Sequence, residues 1–304
     1  MKAFEKNMKS RKNAIKSGNT VIMSVFFVVF CLYAITLLFP FVWIFYNSFK
    51  EKTFFGASPM SLPWGARADG SLEVPHLENY LRVFTALGEY NITIGEMFFN
   101  SITLVIGQTA ASLFVCACTA YVVSKYKFTG RNIIYFLAIL IMFIPTTGSL
   151  VTYFSLIQDL RLYDTYYGMI ITHAGGFGMQ FLILYGFFKS ISWSYAEAAF
   201  IDGAGNFTVF FRIMLPMARS SLTALAVLGV IGVWNDYIGQ RLYYPSYPTV
   251  AVGLQVISAS VVKHGSDYPL FFCVIMICTL PILVLYASCQ RIIVKNTMAG
   301  GLKG

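Results

Sequence analysis

Residues able to do chemistry are few and far apart in this 304-residue chain. The histidines, His76, His173 and His264, stand alone. No H-E-x-x-H, G-x-S-x-G or G-x-x-x-x-G-K-[ST] stretch occurs, so the chain offers no zinc-assisted hydrolysis, serine nucleophile or nucleotide-phosphate cradle of those kinds. Six cysteines (Cys31, Cys116, Cys118, Cys273, Cys278, Cys289) lie in apolar stretches without C-x-x-C spacing, which suits small packing residues and gives no metal or redox reading. Two polar groupings remain. Asp236 follows Asn235 in VWNDYIGQ at the edge of an apolar stretch. An unpaired carboxylate costs several kcal/mol in lipid, so Asp236 lies either at the interface beside Trp234 and Tyr237 or on a water-filled path. The other grouping is EAAFIDGAGNFTVFFRIMLP, 197–216, where a glutamate, an aspartate, two glycines and an arginine interrupt greasy segments.

Local chemistry predicts a helix-turn-helix there. Ser194 and Glu197 have the S-x-x-E spacing of a capping box, which starts a helix over 194–202. Gly203 ends it, because glycine takes the left-handed C-cap conformation without penalty. Asn206 can cap a second helix, FTVFFRIM, that runs until Pro216. Ala196, Ala198 and Ala199 would let a cleft close in, and Phe200 and Ile201 would anchor a pocket. Glu197 reads equally well as a cap of its own helix or as a contact for a partner.

The elements around these residues belong to a membrane. Hydrophobic residues make up 57% of the chain, charged residues 12%, and mean hydropathy is +0.68, too apolar for an ordinary soluble domain. Six apolar stretches, 20–46, 98–123, 133–156, 166–188, 222–239 and 270–293, each approach the ~20 residues that cross the bilayer as a helix. The expected fold is an all-α polytopic membrane protein of six transmembrane helices, with residues 20–293 as the membrane domain between a basic tail, 1–19, and a C-terminal tail, 294–304. The first stretch is read as a retained span despite the basic residues before it, because of its length, Pro40 and the aromatic run FVWIFY. With both termini in the cytoplasm, fifteen of the 22 Lys/Arg and only Glu5, Glu197 and Asp202 among the acids fall inside. The net charge of +9 is thus a positive-inside signature and makes no case for nucleic acid. Segment 47–95 then faces outward, broken by Pro59, Pro63 and Pro75, with short helical pieces such as LENYLRVF. Pro145 and Pro281 predict bent helices, and Gly175, Gly176 and Gly178 in HAGGFGMQ mark either close helix packing or a flexible point.

At 197–216 the residues resemble a specific family. Glu197-Ala198-Ala199, then Gly203, nine intervening residues, Ile213 and Leu215-Pro216, fill every fixed position of the EAA signature of inner-membrane subunits of binding-protein-dependent ABC importers. IDGAG (201–205) and WND (234–236) look like the carbohydrate-uptake, maltose-type branch, and NSFK (47–50), LENY (77–80), NS (100–101), the run from Pro145 and the tail QRIIVKNTMAGGLKG are similar to that family's other segments. The run before the motif, SISWSYAEAA, departs from it: Ser192 stands near the family's proline and no acid precedes Glu197.

The resemblance implies a non-catalytic permease subunit, half of a translocation path for a sugar or oligosaccharide. Its partners would be a second permease, an ABC ATPase dimer and an extracytoplasmic solute-binding protein. This chain would bind no cofactor, since ATP and magnesium sit on the ATPase. The loop 194–216, between the fourth and fifth spans, would be the cytoplasmic coupling helix, with Glu197, Ala198, Ala199, Asp202, Gly203 and Arg212 at the ATPase and a contribution from the tail through Lys303 and Gly304. Asn235, Asp236 and Gln180 are the candidates for the path. A secondary transporter acting alone, or a membrane receptor or scaffold, are the rival readings; the first would show inverted repeats and paired intramembrane charges, and neither is evident.

Overall fold

The computed structural model describes the backbone of residues 2–66, 70, 72–86, 92–144, 148–264 and 267–301, with side chains from residue 20 onward except 21, 66, 86, 262–264 and 291–301. Pro145, Lys303 and Gly304 lie outside the described residues.

In chain order the elements are α1 (Lys2–Asn47), α2 (Lys52–Ala57), β1 (Gly65–Ala66), β2 (Leu72–Glu73), α3 (Glu78–Ala86), α4 (Ile94–Lys125), α5 (Arg131–Phe143), α6 (Ser149–Asp159), α7 (Tyr166–Ile171), α8 (Met179–Ser190) and α9 (Ser194–Ile201). There follow α10 (Asn206–Val209), a π-turn (Phe210–Met214), α11 (Leu215–Met217), α12 (Arg219–Asn235), α13 (Ile238–Tyr243), α14 (Val250–His264) and α15 (Tyr268–Gly301). Among the described residues three helices are long and apolar enough to cross a membrane, Ile22–Asn47, Ile94–Lys125 and Tyr268–Gln290; a fourth is possible if Asn206–Met217 and Arg219–Asn235, bent by 74°, count as one.

Several expected spans are interrupted. The third stretch, 133–156, is α5 followed by α6, with Gly148 at φ +94° before α6. The fourth, 166–188, is α7 and α8 separated by the non-helical residues 172–178. Both glycine readings hold there. A Cβ on Gly176 would lie 3.1 Å from Thr119 and 3.2 Å from Val115, which is close packing, while Gly178 turns the chain into α8 at φ +120°. The fifth span ends at Asn235 rather than at 239, because Asp236 is extended and its carboxylate accepts from the Gly239 amide at 3.1 Å, which opens α13.

The chain forms two compact units, Met1–Val83 with Asp267–Met276, and Phe84–Ser266 with Ile277–Gly304. In the first, the side chains of α1 from Ile22 to Val42 are exposed around the whole helix, the pattern of a segment whose solvent is lipid. Below it, NSFK and LENY lock together. Asn47, Ser48 and Lys50 are fully buried, Asn79 donates to the carbonyls of Ser48 (3.0 Å) and Lys50 (2.9 Å), and the Tyr80 hydroxyl meets Ser48 Oγ at 2.8 Å. Lys50 Nζ donates to the Ser58 carbonyl at 2.9 Å; burial pushes its pKa down from the usual lysine value and the charge of Glu73 opposes that. LENYLRVF is helical, within α3.

In the second unit α4 is the axis. Thr93 caps it by accepting from the Glu96 amide at 3.2 Å, and its residues Leu104, Gln108, Cys116, Ala117, Ala120 and Tyr121 are buried. α8 and α12 lie against it, close enough that a Cβ on Gly229 would meet Thr109 at 3.2 Å. α14 falls where only an outer loop was expected. Its first amide, Val250, donates to Ser101 Oγ at 2.8 Å, and Asn100 donates to the Pro248 carbonyl at 3.0 Å, so the NS pair pins this helix to α4.

Candidate functional site

Two constellations in the second unit have chemistry to offer, one at each end of the argument: the hairpin 194–217 and a polar cavity along α4.

The hairpin is a helix, a glycine turn and a second helix. α9 ends with the Gly203 amide donating to the Phe200 carbonyl (3.0 Å) and the Ala204 amide to the Ala199 carbonyl (2.9 Å), with Gly203 at φ +83°. This is the left-handed close expected of a glycine C-cap. The capping box does not form. α9 begins after Trp193 without a side-chain cap; Ser194 is already inside the helix, its amide donating to Ser192 Oγ at 3.3 Å and its hydroxyl paired with the same oxygen at 2.8 Å. Nor does Asn206 cap the second helix: Gly205 precedes it, and Asn206 Oδ1 accepts from the Tyr126 hydroxyl at 3.0 Å. The second helix passes through Pro216. Its Phe210–Met214 turn is π, with the Leu215 amide bonded to the Phe210 carbonyl, and the wider turn gives the proline ring room against the preceding turn. The helix stops at Met217, where the 74° bend begins α12.

The hairpin has a fixed side and a free side. Ala196, Ala199, Val209, Phe210 and Met214 are buried against α4 and α8 in a cluster with Tyr121 and Phe188. Tyr121 packs on Phe210 with ring centroids 4.9 Å apart, Tyr126 packs on Trp193 at 5.8 Å, and Lys125 Nζ donates to the Ile191 carbonyl. Glu197, Ala198, Asp202, Gly203 and Arg212 are exposed, as are Ile201 (86%) and Phe207 (81%). Ala199 therefore gives close approach to its own chain, and the two large apolar side chains stand where a partner would meet them. The staples Lys125, Tyr126 and Trp193 went unread in the sequence; the aromatic run after α4 was their only signal.

The cavity, of about 570 Å³, is lined by Gln108, Thr109 and Ser112 of α4, His173, Gln180 of α8, and Gly229, Gly232 and Asp236 from α12 and its end, set in an otherwise apolar wall of Met179, Ile183, Leu225, Leu228 and Val233. Ser112 donates to Gln180 Oε1 at 3.0 Å, Gln108 Nε2 donates to the Met169 carbonyl at 2.7 Å, and His173 Nδ1 lies 3.2 Å from the same carbonyl. Gln108 Oε1 and Thr109 Oγ1 are buried with no hydrogen-bond partner among the described residues, and a buried polar atom left unpaired is costly. Two of the three residues expected on a path, Gln180 and Asp236, meet here. Asn235 does not: it is exposed and donates to the Ile231 carbonyl of its own helix at 2.8 Å. Gln108 and Ser112 were not singled out, although their i, i+4 spacing in an apolar helix puts both on one face.

The sequence and fold have relatives. Residues 114–298 match the family described as binding-protein-dependent transport system inner membrane component. The diacetylchitobiose uptake system permease protein of Streptomyces coelicolor is 30% identical over 88% of this chain and 85% of its own length. The arabinooligosaccharides transport system permease protein of Bacillus subtilis is 26% identical over 90% and 94%. A bacterial ABC transporter involved in the import of the acidic polysaccharide alginate has a chain of the same fold, with a TM-score of 0.71 over 90% of this chain and 97% of that one at 20% identity. The match over residues 114–298 takes in the hairpin and all of the cavity's lining except Gln108, Thr109 and Ser112, and with it the chain belongs to the family of binding-protein-dependent transport system inner membrane components, multi-pass proteins of the bacterial plasma membrane.

Proposed function

We propose that the chain is one permease subunit of an ATP-driven importer of an oligosaccharide. It would work beside a second permease, over a dimer of ATPase subunits, and take its substrate from an extracytoplasmic binding protein. The relatives' names support the substrate class, since they handle oligosaccharides of two to several units. The cavity supports it too: amides, hydroxyls and one carboxylate, the groups that bind sugar hydroxyls, stand in its wall.

The observation that carries the reading is the hairpin's division into a face stapled to α4 and a face bearing Glu197, Ala198, Ile201, Asp202 and Gly203. A rigid knob on the end of the central helix can pass a push from an ATPase to the cavity that the same helix lines. ATP hydrolysis would shift the subunits between inward- and outward-open states, and this chain transmits that shift without performing the chemistry.

We place six spans in the membrane, with both termini inside. Broken pairs α5/α6 and α7/α8 then serve as the third and fourth spans, because non-helical backbone at membrane depth is tolerated where it is buried or lines a cavity, as His173 within 172–178 does. Purification of the full chain from cells expressing the whole transport system tests the reading. An ATPase subunit that co-purifies with the wild type and is lost on disruption of the hairpin supports it, and a stable oligomer of this chain alone, with no ATPase, overturns it.

A further inference from the structure

His76, which stands alone in the sequence, does not stand alone in the fold. In the first unit one ligand atom each from Glu51, Glu73 and His76 lie within 4.8 Å of one another, with His76 Nε2 3.7 Å from Glu73 Oε1. The other ring nitrogen, Nδ1, is 2.8 Å from Glu78 Oε1.

A proton on Nδ1, donated to Glu78, leaves the Nε2 lone pair turned towards the two carboxylates. This is the carboxylate–histidine arrangement that fixes the tautomer and ring plane of a metal-binding imidazole. The Glu73 side chain has no accessible surface, so its charge is held out of water beside Glu51. Glu73 Oε1 accepts from the Glu51 amide at 3.0 Å and Glu51 Oε1 accepts from Thr53 Oγ1 at 2.9 Å. These bonds orient the two carboxylates.

We propose that Glu51, Glu73 and His76 bind a divalent first-row transition metal ion, of which zinc is the best fit. One imidazole and two carboxylates select against calcium and magnesium, which prefer all-oxygen shells, and three protein ligands leave a fourth position for water. Ligand atoms around tetrahedral zinc sit about 3.3 Å apart, so closing the site takes side-chain rotations of about an ångström. The bound ion would clip three separate pieces: the start of α2, the β2 strand and the turn that leads into α3.

The test is metal titration of the tag-free full chain purified in detergent after chelator treatment, with zinc competed against a chromophoric chelator and cobalt followed by its visible absorption. Wild type is expected to bind one equivalent. His76→Ala and Glu73→Gln should lose it, and Glu78→Gln should weaken it roughly 10- to 100-fold, as loss of an outer hydrogen-bond partner does. His76 is partly exposed, so His76→Ala keeps the test valid even if Glu73→Gln fails to fold. Binding that survives His76→Ala unchanged, or the lack of any stoichiometric binding by the wild type, overturns the proposal.

Discussion

The hairpin 194–217 and the polar cavity share α4 as a wall, yet they are assembled in opposite ways. The hairpin's exposed residues lie within a few positions of one another, and its shape follows from local rules: a short helix, a left-handed glycine at φ +83° and a second helix. The cavity draws Gln108, His173, Gln180 and Asp236 from segments up to 128 positions apart, and only packing brings them together. A contiguous docking element can keep its form while partners rearrange. A dispersed cavity changes shape whenever its helices shift, which suits a path that must open and close. Mutations should therefore separate the two, with coupling lost at one and substrate handling at the other.

The largest effect is expected at Gly203. A Cβ there would meet nothing within 4 Å in this chain, so the penalty of a β-branched residue is conformational, roughly 1–2 kcal/mol for the left-handed backbone, plus whatever a docked partner adds. Gly203→Val should abolish ATP-driven uptake while the chain still inserts. Gly203→Asn sharpens the comparison because asparagine tolerates the left-handed region. Uptake restored by asparagine assigns the defect to the turn, and uptake lost in both assigns it to the partner's approach. Uptake at wild-type levels by the valine variant would remove the hairpin from the mechanism.

Next is Gly176, which belongs to the cavity's frame. Its Cβ would press on Thr119 and Val115, so Gly176→Leu should destabilise the detergent-solubilised chain by about 1–3 kcal/mol, read as a lowered thermal midpoint. An unchanged midpoint would show that the contact between Gly176 and α4 yields without cost.

Asp236→Asn should act on transport alone. The side chain keeps an oxygen for the Gly239 amide and loses its charge. ATPase association should be unaffected, with uptake reduced roughly tenfold, the worth of one charge-assisted hydrogen bond to a sugar hydroxyl. If association falls instead, the cavity and the hairpin are not separable.

The same contrast explains what was legible in the sequence. The EAA stretch could be read because its determinants are local: Gly203 closes the helix as glycine should, and Pro216 marks the end of the second helix within two residues. The capping residues were misread for a local reason as well. Ser192 and Ser194 both offer a hydroxyl at the start of α9, and tertiary contacts of Trp193 with Tyr126 and Phe200 decide where the helix begins. The breaks at 172–178 and after Phe143 were hidden because apolar composition measures burial in lipid, not helical continuity. α14 was missed because its 15 residues fall short of a span, and its anchors, Asn100 and Ser101, lie some 150 positions away. The partnership of NSFK with LENY, and of His76 with Glu51 and Glu73, has the same character: each motif is visible, and which other it touches is not.

Glu197→Ala gives the smallest effect and decides a question the sequence left open. If Glu197 capped its own helix, alanine would cost ~1 kcal/mol of stability. The structure has no side-chain cap on α9, and Glu197 is exposed. The thermal midpoint should therefore stay within the change expected of a surface substitution, about 0.5 kcal/mol, while ATPase association weakens and its salt dependence falls, since an exposed charge at an interface acts mainly on the rate of encounter. Measuring the association rate at low and at high salt reads this directly. A lowered midpoint with unchanged association would return Glu197 to a helix-starting role and leave docking to Ala198, Ile201 and the Gly203 turn.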